Sequence, residues 1–146
     1  FLEAEKHFGQ RFDVLMDLDV TSPLRSVKDI TGAYRQFVEE DAHILITASP
    51  ARKNPYFNMV ERVNGRIQQV KQLDNAPTSR QEAPDVYDMN ASIYIWKREA
   101  LLINDTLFID KTSLFIMPEE RSVDIDTELD WKFVQCMMAK SISVHD

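Results

Sequence analysis

AHILITAS, residues 42–49, is a continuous apolar run of about one strand's length, and a strand that is apolar on both faces has to be covered on both faces. A sheet with one wet side does not meet that requirement. DVLMDLDV (13–20) reads as another short apolar strand, ended by TSPLR (21–25), where the Pro23 ring pushes Ser22 out of helical geometry. ASIYIWKR (91–98) and SLFIMP (113–118) supply two more, with REALLIN (98–104) as a short helix between them. Apolar strands alternating with amphipathic helices predict an α/β fold, a doubly wound and mostly parallel Rossmann-like sheet.

The helices have their own signals. FLEAEKHF (1–8) reads as the last turns of a helix already under way. Ser26 with Asp29 three residues on makes a capping box, and Val27, Ile30, Tyr34 and Phe37 then recur at helical spacing, which predicts one buried stripe. A final helix is expected from about Thr127, with Asp130 at the box position and with Leu129, Phe133, Cys136 and Met137 buried on one side. The middle of the chain breaks the alternation. Asn64-Gly65 between two short alternating segments is a strong hairpin signal, an antiparallel excursion in an otherwise parallel scheme. From Lys71 to Asn90 the chain is polar, with Pro77 and Pro84 and no period, a length that a compact domain keeps when the loop binds something or reaches a partner.

Composition narrows the function classes. With 146 residues and 44% hydrophobic content the chain is one domain's worth and globular. Its 24 acidic and 17 basic side chains leave a net charge of −7, and phosphate neutralisation needs a basic face, so nucleic acid is not an expected partner. No apolar run approaches a membrane span and the first residues lack signal-peptide order, which points to no membrane and a cytoplasmic location. Cys136 stands alone, and with His7, His43 and His145 it forms no zinc-ligand spacing.

Candidate site residues cluster after strands. In SVDIDTELDW (122–131), Asp124 and Asp126 are two apart, so in an extended segment they project to one face and can share a cation. The other reading, also open on spacing alone, is that acidic residues here line a strand's lip and favour the start of the next helix. Asp17 and Asp19 repeat the period on the strand before TSPLR, where burial between apolar neighbours would require a partner, a cation or a hydroxyl. TSPLRS places Thr21, Ser22 and Arg25 between a strand's carboxyl end and a helix N-terminus, where open α/β sheets bind ligands. Local turn bonding by the hydroxyls and a solvated Arg25 would account for the same residues. Arg52 and Lys53 follow the next strand, and Arg80 and Gln81 lie in the long loop, where a guanidinium can grip a carboxylate bidentately.

TSPLRSVKDI, RQEAPDVYDMNASIYIW and SVDIDTELDW, in this order and spacing, resemble the acylneuraminate cytidylyltransferases, which make CMP-activated sialic and related nonulosonic acids. The resemblance covers nearly the whole chain. It implies a nucleotidyltransferase-type sheet in which residues 1–146 form the C-terminal two thirds of a single domain, with a dimerisation and sugar-binding insertion at about 55–90. It implies that Asp124 and Asp126 bind the Mg²⁺ that holds the CTP phosphates, and that Arg80, Gln81 and Asn90 lie in the acceptor-sugar region. Ser22 and Arg25 would lie beside nucleotide and sugar, and Asp19 stands where many members carry glutamine. The implied reaction transfers CMP from CTP to a nonulosonic acid with release of pyrophosphate, in a homodimer whose hairpin and long loop cross the interface.

The departures from the family are specific. Its N-terminal strand and basic, glycine-bearing phosphate loop have no counterpart among Gly9, Gly32 and Gly65, so the family's N-terminal third is lacking here. NPYFNM (54–59) and VYDMN (86–90) lack the basic residues of typical sialic acid enzymes, which tilts the acceptor toward legionaminic or pseudaminic acid. The competing expectation is a non-catalytic α/β dimerisation or binding module that has no CTP loop and keeps the acidic pair as a structural cap.

Overall fold

The computed structural model describes residues 1–75, 77 and 79–142, with backbone only for 140–142; His145, and positions 76 and 78 of the long polar stretch, lie outside the described residues. In chain order the elements are α1 (Leu2–Phe8), β1 (Val14–Leu18), α2 (Val27–Glu39), β2 (Ile44–Pro50), β3 (Val60–Val63), β4 (Arg66–Gln69), β5 (Tyr87–Met89), β6 (Ile93–Lys97), α3 (Arg98–Ile103), β7 (Thr112–Ile116) and α4 (Glu128–Ile142). They fall into two compact units, one formed by Phe1–Ser49 with the chain from Met89 onward, the other by Pro50–Asp88.

In the first unit the sheet order is β1-β6-β2-β7. β6 is antiparallel to both β1 and β2, whereas β2 and β7 are parallel, so β1, β2 and β7 share one direction and β6 runs against them. The expected mostly parallel α/β sheet is present. The reversal of β6 has a local reason: a parallel return needs a crossover packed on the sheet, and the chain between β2 and β6 instead folds as a unit of its own.

Both faces of the sheet are covered, as the apolar strands require. On one face Ala33 and Phe37 of α2 pack with Leu45, Ile93, Ile95 and Met117; on the other Ala100 of α3 packs with Ile44 and Ile46, flanked by Tyr94, Trp96 and Leu114. Successive residues of β2 alternate between the two cores. Leu45, Ile93 and Ile95 are fully buried, and each such side chain contributes roughly 1.5–3 kcal/mol by leaving water.

Two predicted stripes are corrected. Val27 and Tyr34 are exposed, and α2 buries Asp29, Ala33 and Phe37, with Ile30 packed beside them. Small residues set this face: a Cβ on Gly32 would lie 3.0 Å from the Phe115 ring, so α2 approaches β7 where its side chains are smallest. In α4, Leu129, Phe133 and Cys136 are exposed, while Val134 is buried and Met137 half-buried. An apolar stripe says which face could be buried; what lies against the helix decides which face is. Asp17 is likewise exposed rather than buried, because the far half of β1 leaves its side chains open to solvent.

In the second unit β3 and β4 form the expected hairpin, with Asn64 at φ 50° and Gly65 at φ 78°, the left-handed pair that a tight two-residue hairpin demands. Buried Asn54 organises its start: the Asn54 carbonyl accepts from the N–H groups of Phe57, Asn58 and Met59, and its amide donates to the Pro84 carbonyl at 2.9 Å. The polar stretch holds a 3-10 turn over Arg80–Glu82 and then β5. Among the described residues no helix is long and apolar enough to cross a membrane.

Candidate active site at the carboxyl end of the sheet

The turn after β1, the start of β6 and the segment after β7 meet at one end of the first unit's sheet. The Asp19 carboxylate accepts from the Thr21 N–H at 2.9 Å and the Thr21 hydroxyl at 2.8 Å, which folds the chain back beyond β1. The backbone bond and then the hydroxyl bond hold this carboxyl below the usual range. Arg25 is committed to the same turn. It donates to the Ser92 carbonyl at 2.5 Å, the Ser92 hydroxyl at 3.2 Å and the Asp19 carbonyl at 3.1 Å, so it braces β1 against β6 and is not the solvated charge that its sequence context allowed.

Asn90 is the hub. Its side-chain oxygen accepts from the Thr47 hydroxyl at 2.7 Å and the Ser92 N–H at 3.2 Å, and its amide donates to the Ser122 hydroxyl at 2.9 Å. The Thr47 hydroxyl in turn accepts from the Ile93 N–H at 2.9 Å. Buried Ser22 donates to the Asn90 carbonyl at 3.4 Å. Asn90 is itself buried, and every polar atom of its side chain has a protein partner, which fixes β2, β6 and the segment after β7 to one another.

That last segment carries the acidic pair. The Ile125 N–H donates to the Thr21 carbonyl at 3.0 Å, which lays residues 122–126 along the turn after β1. Asp124 Oδ1 is buried with no hydrogen-bond partner, whereas Asp126 is exposed. An unpartnered carboxylate oxygen out of water is costly unless a cation or donor arrives. Capping of α4 falls to other residues: the Asp130 carboxylate accepts from the Thr127 N–H at 2.8 Å and hydroxyl at 2.6 Å, and the Asp130 N–H donates back at 3.3 Å. The Thr127 hydroxyl and then its N–H lower the Asp130 carboxyl accordingly.

Tyr94 stands opposite Asp17 in the β1–β6 ladder. Burial, followed by the negative charges of Asp19, Asp17 and Asp124, raises its phenol above the ordinary value, so all three carboxylates act on one locality. Among the described residues no three His, Cys, Asp or Glu side chains gather as a ready metal cage. A cation here would need water or substrate oxygens to complete its shell, which suits Mg²⁺.

The structure thus brings Asp19, Ser22, Arg25, Asn90 and Asp124 to one end of the sheet, with Asp126 two residues on. Arg80 and Gln81 belong to the second unit, where both are exposed and Arg80 donates to the Ala51 carbonyl. Arg52 and Lys53 are exposed in that unit too. Sequence reading missed Thr47, Ser92, Tyr94 and Ser122, and it missed that Asp29, read as a cap, accepts from Arg121 Nε at 2.8 Å and Nη2 at 3.0 Å. A partner 92 residues away leaves no local pattern to read.

No family model matches the chain. It is 51% identical, over 99% of its length, to the CMP-N,N'-diacetyllegionaminic acid synthase of Campylobacter jejuni, and covers 61% of that protein. Its relatives include cytidylyltransferases of nonulosonic acids. To the post-translational flagellin modification protein B of Campylobacter coli it is 48% identical over 94% of the chain and 57% of that protein. A more distant relative is the pseudaminic acid cytidylyltransferase of Campylobacter jejuni, 24% identical over 93% of the chain and 58% of that protein. The chain therefore spans about 60% of the length of these three relatives. The fold is also that of a 4-diphosphocytidyl-2C-methyl-D-erythritol synthase from Anaerococcus prevotii, with a TM-score of 0.60 over 94% of this chain and 64% of that one at 14% identity.

Proposed function

We propose that this chain supplies the metal and acceptor-sugar side of a Mg²⁺-dependent cytidylyltransferase that joins CMP from CTP to a nonulosonic acid. The observation that carries the reading is the buried, unpartnered Asp124 Oδ1 at the carboxyl end of the sheet, in a chain 51% identical to a CMP-N,N'-diacetyllegionaminic acid synthase. Because Thr127 and Asp130 cap α4, Asp124 and Asp126 have no capping duty, which disfavours a non-catalytic module that keeps them as a cap.

In the reaction the anomeric oxygen of the sugar forms a bond to the α-phosphorus of CTP, the bond from that phosphorus to the bridging oxygen breaks, the hydroxyl proton is lost, and pyrophosphate leaves. Asp124 and Asp126 would hold Mg²⁺, which supplies charge neutralisation and orientation for the phosphates when bound. The chain's own residues position the partners. Arg25 and Asn90, fully engaged with the backbone and neighbouring hydroxyls, keep the turn and the acidic segment in place. Arg80 and Gln81 offer exposed donors for the sugar carboxylate. Asp19 and the absence of basic residues in NPYFNM and VYDMN favour a legionaminic-type acceptor, in line with the name of the 51% identical relative. Two copies would assemble through the second unit.

The test is pyrophosphate release by the protein carrying this chain, with CTP and either N,N'-diacetyllegionaminic or N-acetylneuraminic acid, in Mg²⁺ or in chelator. Release needs Mg²⁺ and prefers the legionaminic acid, and Asp124→Asn lowers it by about 100-fold or more with an unchanged melting temperature. Turnover that survives Asp124→Asn overturns the metal assignment.

A further inference from the structure

Residues 122–126 form no helix or strand, so no regular ladder holds the acidic pair; side-chain ties do it instead. Just upstream, Arg121 ends a 3-10 turn and lays its guanidinium fork on Asp29, Nε to Oδ2 at 2.8 Å and Nη2 to Oδ1 at 3.0 Å. Asp29 is only 3% exposed, and is itself fastened by the Ser26 N–H at 2.8 Å and the Ser26 hydroxyl at 2.7 Å at the first turn of α2. The next residue, Ser122, is held by Asn90, and Ile125 by the Thr21 carbonyl. Asp124 lies between these ties.

We propose that Arg121 is a positioning residue for the site, which through its two-point contact with Asp29 holds residues 122–126 so that Asp124 keeps its unpartnered oxygen available to a divalent cation. This rests on the reading of Asp124 as a metal ligand. The fork geometry matters more than the charge, since a lysine ammonium is a point charge that cannot fix orientation at two oxygens. Partners that orient metal ligands are commonly worth 10–100-fold in metal affinity.

The experiment compares wild type, Arg121→Lys and Asp124→Asn by Mn²⁺ titration in the presence of CTP and by amide hydrogen exchange. Arg121→Lys is expected to weaken Mn²⁺ binding about 10–100-fold and to speed exchange at Ile125 about tenfold, while Ala33 and Phe37 in α2 exchange as in wild type. Asp124→Asn is expected to lose Mn²⁺ binding with Ile125 exchange unchanged. Wild-type Mn²⁺ affinity or wild-type Ile125 exchange in Arg121→Lys overturns the positioning role, as does equal acceleration throughout α2, which would make Arg121 a general stabiliser. Wild-type Mn²⁺ affinity in Asp124→Asn, or no Mn²⁺ binding by the wild type, instead overturns the metal reading on which the proposal stands.

Discussion

Asp29 shows how one side chain takes two duties. Burial pushes its carboxyl up, and the Arg121 bond, followed by the Ser26 hydroxyl and N–H, more than offsets this, so it stays below the ordinary carboxylate value. A depressed folded pKa contributes stability that is present above the unfolded value and is lost as pH falls through the folded one. In Arg121→Gln the buried carboxylate loses its counter-charge at neutral pH and recovers by taking up a proton in acid. The melting temperature of Arg121→Gln is therefore expected to fall well below wild type at pH 7, with the gap narrowing as pH drops below about 4. A gap that stays constant across that range would mean that the ion pair does not govern Asp29. Asp124, by contrast, could be singled out from its spacing with Asp126, because that pattern is local.

At the level of elements, local rules located nearly every helix and strand; they missed β5, inside the stretch read as aperiodic, and elsewhere erred in which face is buried. The Ser26–Asp29 and Thr127–Asp130 capping boxes form as read, since their bonds span three residues. Burial of a stripe depends on distant neighbours, and in α4 those neighbours select Val134 over Leu129 and Phe133. Val134→Ala is accordingly expected to cost about 1–3 kcal/mol in chemical denaturation, and Phe133→Gln to stay within about 0.5 kcal/mol of wild type. A larger loss for Phe133→Gln would show that its face is covered in the protein.

For the whole molecule the question is assembly. In the second unit the β3–β4 hairpin leaves Val60 and Ile67 exposed on one face and Val63 on the other, and the proposed pairing of copies would cover the Val60 and Ile67 face. Sedimentation at micromolar concentration should give a dimer, and a Val60→Glu, Ile67→Glu double variant a monomer. A wild type that sediments only as a monomer overturns the proposed pairing of copies. The hairpin itself was readable in Asn64-Gly65, because its left-handed backbone is a property of two adjacent residues. The two-sided sheet was readable as well, because a strand apolar on both faces can be buried in few ways. What had to wait for the tertiary structure was the reversal of β6, the exposed faces of α2 and α4, and the chain of contacts from Ser26 through Asp29 and Arg121 to the acidic pair. Each of these depends on residues far apart in sequence coming together, and the energy of such contacts is set by packing that no short stretch of the chain encodes.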